Sequence, residues 1–316
     1  MEGLWKLLNV GDQDGSAPCV IITVVTTRAA SAAADLLSSG DWAVAYPHSA
    51  VLYHGSRLPS YPAQLTLERA ALIAYYLRIT NEKYAMDRIR KIEVRFMQKF
   101  LLYKDSFADV RKDNPAKQMT DADCFLEVIK NGLSARGKKL FDSAINRYQR
   151  YEKLLKKVKA RTGTTQAKLE AARLKAIIDF EVDSNKKNPD WSFTDFGLTN
   201  LSDDFFLVNE HLADIKTARL TDFISSWGKF ALTDDEKAEL DGRPEEERLT
   251  LTVEKVRPIL EPVWAFFVSL CHALQYGEND LTATDAYWLG LIDEVIGDAS
   301  LRSVRTIMEY EPDPPQ

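Results

Sequence analysis

Ser31-Ala32-Ala33-Ala34-Asp35-Leu36-Leu37-Ser38-Ser39-Gly40-Asp41-Trp42-Ala43-Val44-Ala45-Tyr46-Pro47-His48-Ser49-Ala50-Val51-Leu52-Tyr53-His54 decides how this chain is read. Upstream of it, the apolar run Cys19 to Val25 leads through Thr26-Thr27-Arg28-Ala29-Ala30 to Ser31. That run predicts a strand, and the small residues after Ser31 predict a helix. A serine thus stands where a strand turns into a helix, and His54 closes a second apolar run, Ala50 to Tyr53. A serine hydroxyl is a poor nucleophile until a base takes its proton. A strand-to-helix turn exposes such a serine and aims the first N–H groups of the helix at whatever the serine attacks. The competing reading makes Ser31 a helix N-cap or a small residue that permits close packing. His48 competes with His54 for the role of base, since the two are an even number of residues apart, but it follows a proline in a turn and reads better as a structural hydrogen-bonding group.

Ala29-Ala30-Ser31-Ala32-Ala33-Ala34, followed by Tyr46-Pro47-His48-Ser49-Ala50-Val51-Leu52-Tyr53-His54, resembles the nucleophile helix and catalytic-histidine strand of the Clp protease proteolytic subunit. Far downstream, Leu281-Thr282-Ala283-Thr284-Asp285-Ala286-Tyr287-Trp288-Leu289-Gly290-Leu291-Ile292-Asp293 is similar to a segment shared by that family and the wider crotonase-like superfamily. There, a short helix packs an alanine on the sheet and a Gly-Leu-Ile-Asp turn leads into a last strand. The resemblance implies Ser31 as nucleophile and His54 as base. It places the acid that orients the histidine four residues before the Ser or Thr that opens the C-terminal helix. Counting back from Thr282 gives Glu278, while Asp280 carries the family's usual side chain, so both stay open. The Ala32 N–H would be one oxyanion donor. The Gly-Gly element that supplies the second in the family does not precede Ser31, and Thr27 stands where the family has a glycine. Three readings follow: an N-terminally incomplete version of a longer protein, a site completed by a partner subunit, or an inactive relative.

The composition is that of an ordinary globular protein, 316 residues with 45% hydrophobic and 28% charged. The net charge of −6 argues against a dedicated nucleic-acid protein. Residues 130–161 hold eleven Lys and Arg against only Asp142 and Glu152, which reads better as a solvated helix face than as a binding surface. Cys19, Cys124 and Cys271 show neither disulfide nor zinc spacing, and a reducing cytoplasmic compartment is expected. No signal peptide or membrane span is legible, and no P-loop, GxGxxG or HExxH points to a cofactor or metal.

The expected fold is α/β: a crotonase-like, Clp-protease-type core built from the two ends, with a large all-helical insertion between them. Residues 1–64 carry the nucleophile helix and histidine strand, 65–104 a long helix, 105–250 the insertion projecting from the core, and 251–316 the rest of the core. Helices are expected at 1–10, 65–103, from Thr120, at 139–160, 164–182 and 202–230, and from Val253 to Tyr276. Gly11 to Ser16 and Asp241 to Glu245 read as turns, and 55–62 and 189–200 as loops. The functional expectation is a serine peptidase of the Clp type acting on a peptide or protein substrate. An unpaired sheet edge with uncovered apolar surface, and the long helix that packs subunits in the family, predict self-association into a homo-oligomer, and the resemblance implies an ATP-dependent unfoldase partner. The alternatives are a degenerate structural or interaction relative and, less well supported, an acyl-CoA enzyme of the crotonase type.

Overall fold

A computed structural model describes residues 20–54, 91–162, 220–276 and 278–304. The expectations for 1–19, 55–90, 163–219 and 305–316 lie outside these residues.

Two small three-stranded sheets form the α/β part. β1 (Ile22–Val25), β3 (Trp42–Ala45) and β6 (Glu294–Val295) make one parallel sheet in the order β1-β3-β6. β2 (Arg28–Ala30), β4 (Ala50–Tyr53) and β5 (Asn279–Thr282) make the second, with β2 parallel and β5 antiparallel to β4. The chain changes sheets twice at one level. Thr26 and Thr27 separate β1 from β2, and the turn at 46–49 separates β3 from β4. Tyr46 N–H donates to the Val25 carbonyl and Ala50 N–H to the Thr27 carbonyl, so the two corners are bonded to each other. Between β2 and β3, helix α1 (Ala32–Ser39) packs on the first sheet, where Thr23 Oγ1 donates to the Leu37 carbonyl at 2.6 Å.

The remaining described elements are helical. They are α2 (91–102), α3 (Phe107–Asp113), α4 (Asp121–Gly132), α5 (Ala135–Thr162), α6 (220–227), α7 (Asp234–Leu240), α8 (Glu245–Tyr276) and α9 (Ala283–Trp288), with 3-10 turns at Lys104–Ser106 and Gly228–Ala231. Thr120 starts α4 with a complete capping box on Asp123, as its sequence suggests. α8 begins eight residues before the expected Val253, on Glu245-Glu246-Glu247, whose charges suit the positive end of the helix. It also runs through Pro258 and Pro262, residues that ordinarily break helices; burial of Val256, Leu260 and Val263 outweighs the hydrogen bonds they forgo.

Where their burial is described, the helices on 107–144 and 220–274 do not project: Phe107, Phe125, Phe141, Ala144, Ile224 and Phe267 all lie in the core cluster. Phe96 of α2 lies 5.5 Å from Phe125 of α4 and 5.4 Å from Phe267 of α8, centroid to centroid. The α/β part and the helices share one hydrophobic cluster through α2, which is buried nearly all round. Asp285, fully buried in α9, fastens the α4–α5 turn to this core. Its carboxylate accepts from Ser134 N–H at 2.8 Å, Ser134 Oγ at 2.6 Å and Thr282 N–H at 3.1 Å. Gly290 makes the turn before β6. Its φ is +82°, and a Cβ there would lie 2.7 Å from the Ile92 carbonyl of α2, so glycine serves both the turn and the close approach.

α2 also carries buried charge. Arg95 Nε donates to Asp293 Oδ2 at 2.8 Å, and its Nη atoms donate to the carbonyls of Ser38 and Gly40 at the C-terminus of α1. One turn on, Lys99 Nζ donates to the Ile292 carbonyl at 3.2 Å and lies 4.4 Å from the Tyr287 ring centre. Burial lowers the Lys99 ammonium from about 10.5 to about 7; Asp293 opposes that shift and Arg95 adds to it. In the unfolded chain Lys99 binds a proton below about pH 10.5, and in the folded chain only below about 7. The unfolded state therefore holds more protons between these values, and stability rises with pH across this window. Urea unfolding at pH 8 and pH 10 should give a slope steeper by about 1 kcal/mol per pH unit in the parent than in Lys99→Met. Equal slopes would contradict a neutral buried lysine.

Candidate functional site

Ser31 is the residue whose backbone departs furthest from the ordinary. It has φ 54° and ψ −119°, the one positive φ at a non-glycine among the described residues. Such a conformation costs on the order of 1–3 kcal/mol and persists where the surroundings over-determine it. Here they do. β2 delivers the chain in register with β4, and Ser31 N–H continues that ladder by donating to the Leu52 carbonyl at 2.9 Å. One residue later α1 begins, and Asp35 N–H donates to the Ser31 carbonyl at 3.1 Å. The chain must turn from strand into helix within this single residue.

The capping alternative fails on geometry. Ser31 occupies the N-cap position of α1, yet its side chain makes no capping hydrogen bond. Thr120, Thr233 and Thr282, at the same position of α4, α7 and α9, all build complete capping boxes. The Ser31 side chain is exposed together with Ala32 and Ala33, at the end of α1 where the first N–H groups have no helical acceptor.

His54 directly follows the last residue of β4, at the same end of the strand pair as Ser31. His48 is at the other end. It sits in the turn before β4, its ring 5.9 Å from that of Tyr46, while Ser49 N–H and Oγ close the turn on the Tyr46 carbonyl. The four extended residues of β4 separate the two ends by about 13 Å, so His48 does not compete for Ser31.

β5 brings in the two candidate acids. Its antiparallel register sets Tyr53 against Asn279 and Leu52 against Asp280. Continuing that register by one residue aligns His54 with Glu278. Asp280 is engaged elsewhere: its carboxylate pairs with Arg136 at the start of α5. No protein-family model, curated protein or solved structure matches the chain. The site is therefore read from its own geometry.

That geometry gathers Ser31, His54, Glu278 and Asp280 at one end of the second sheet, on three neighbouring strands about 4.8 Å apart. The Ala32 N–H adjoins them at the start of α1. Among the described residues, no group of three or more His, Cys, Asp and Glu could hold a metal ion, and Cys124 and Cys271 are buried and in no disulfide. No helix of the described residues is long and apolar enough to cross a membrane. Two further residues are at the site. Arg136 belongs to a basic run that reads as a solvated helix face, and Asn279 lies between the two acids. A single chain gives no spacing signal for either.

Proposed function

We propose that this chain is a serine hydrolase of the Clp proteolytic-subunit type, acting on peptide bonds from a crotonase-like core. The observation that carries the reading is the strained, exposed and uncapped Ser31 at the strand-to-helix turn, beside the end of the strand that leads to His54. Ser31 Oγ attacks the carbonyl carbon and passes its proton to His54. The C–N bond breaks, His54 protonates the leaving amine, and water then releases the acyl group by the same steps in reverse. Glu278 orients the imidazole, with Asp280 withdrawn from that role by Arg136. The Ala32 N–H faces the developing oxyanion. One such donor is worth about 10²–10³ in rate.

Treatment with a fluorophosphonate followed by peptide mapping should place one adduct on Ser31, absent in Ser31→Ala. An adduct elsewhere that survives Ser31→Ala would refute the assignment. A second reading, a relative that kept the fold and lost the chemistry, draws on Thr27, which stands where the family has a glycine; it predicts no adduct at all.

Self-association belongs to the same proposal. The described part of the expected long helix, α2, is buried within its own chain. Among the described residues β1 is an edge strand; Ile22 and Val24 in it and Val20 just before it are exposed by 60, 51 and 74%. Sedimentation at micromolar concentration should show a species larger than the monomer, lost in Ile22→Lys/Val24→Lys. A parent chain that sediments as a monomer would remove this part.

A further inference from the structure

We propose that Asn279 is a positioning residue for His54, acting through the Tyr53 carbonyl. The inference rests on the Ser31–His54 reading above. Asn279 Nδ2 donates to the Tyr53 carbonyl at 3.2 Å and to the Leu274 carbonyl at 2.9 Å. The first carbonyl belongs to the peptide that leads into His54, where β4 ends. The second lies in the last turn of α8, where carbonyls have no helical donor left. Asn279 thus ties three elements together at one nitrogen: its own strand β5, the end of β4, and the C-terminus of the helix that packs along α5.

The residue type follows from this geometry. Two carbonyl acceptors need two hydrogens on one short, neutral side chain, which the amide supplies. Aspartate has the same shape but only acceptors, so it would turn both contacts repulsive. The mechanical consequence follows from the end of the strand. The register pairs Tyr53 with Asn279 at the last position of β4, so the Asn279 amide adds its donor to a carbonyl at the end of the ladder, and the 53–54 peptide plane carries that grip to His54. A reacting group must be held within about 0.5 Å and 10–20° of its productive geometry, and a displacement near 1 Å costs about 10²-fold. Asn279 and Glu278 are adjacent, so the grip also sets the separation between the imidazole and its acid.

The test uses the full-length chain with 15N-labelled histidine, of which there are only four. It compares Asn279→Asp with the parent, with Glu278→Gln and with His54→Ala. Asn279→Ser, which keeps one donor, replaces Asn279→Asp if that variant does not fold. We expect Asn279→Asp to slow phosphonylation of Ser31 at least tenfold per folded molecule. We also expect the His54 ring nitrogens to move from one tautomer towards a mixture, as in Glu278→Gln. If Ser31 is unreactive even in the parent while the ring signals still change, the hydrolase reading fails and the positioning role stands. If His54→Ala slows labelling but Asn279→Asp leaves both labelling and ring signals unchanged, the positioning role is overturned and the hydrolase reading stands. A slower reaction explained entirely by loss of folded protein, with unchanged ring signals, also overturns it.

Discussion

His54→Ala is expected to slow phosphonylation of Ser31 by about 10³-fold or more, with little change in stability. The reason is the state of the nucleophile: near neutral pH an unassisted serine hydroxyl is almost never ionised, and attack needs a base within reach of its proton. His54 sits past the end of β4 and is only half-buried, so truncating it opens no large cavity. Loss of rate without loss of fold separates a base from a packing residue. The two acids should separate in the same assay. Glu278→Gln keeps the shape but cannot stabilise a charged imidazole, and is expected to cost about 10²-fold or more. Asp280→Asn breaks an exposed pair with Arg136, worth at most about 1 kcal/mol, and should change the rate less than about threefold. The reverse order would move the acid to Asp280.

Asp293→Ala is expected to destabilise the fold by about 3–5 kcal/mol, the largest stability effect of any single change considered. Oδ2 of Asp293 accepts from Arg95 Nε at 2.8 Å and from Ala43 N–H at 2.7 Å, and both side chains of the pair are almost wholly buried. Truncation strands a guanidinium in the interior and an N–H in the centre of the first sheet. Breaking one partner of a buried pair costs far more than the pair itself contributes, because the other charge is left without compensation. Asp293→Asn keeps an acceptor for Ala43 and should cost clearly less. Urea unfolding followed by far-ultraviolet circular dichroism reads both. A loss below about 1 kcal/mol in the alanine variant would mean that Arg95 finds other partners.

The local signals in the sequence were strongest where a residue's own chemistry sets its structure. Thr120 with Asp123, and Thr282 with Asp285, announce helix starts because side chain and backbone satisfy each other within four residues. The apolar runs before Ser31 and His54 announce strands for the same local reason. Periodicity does not reveal which sheet a strand joins. The run from Cys19 to Ala30 read as one strand and a lead-in, yet it holds β1 and β2 in different sheets, because the corner at Thr26-Thr27 is fixed by bonds to Val25 and Thr27 from residues some twenty positions away. The described parts of the helices expected to project lie against the core instead. What holds them, Asp285 on Ser134 and Phe96 on Phe125 and Phe267, are contacts between distant residues of unremarkable spacing. At the site, the type of Ser31 and His54 was legible. The strain at Ser31, the commitment of Asp280 to Arg136 and the grip of Asn279 on Tyr53 were not, since each exists only once the second sheet has formed.

If Ser31, His54 and Glu278 act as one unit, a crystal structure of the phosphonylated protein shows it. A covalent bond from Ser31 Oγ to phosphorus is expected, with a phosphoryl oxygen about 3 Å from the Ala32 N–H. One His54 ring nitrogen is expected within about 3.5 Å of Ser31 Oγ and the other in contact with Glu278. A His54 ring more than about 6 Å from Ser31 Oγ, with no rotamer able to close the gap, would contradict that unit.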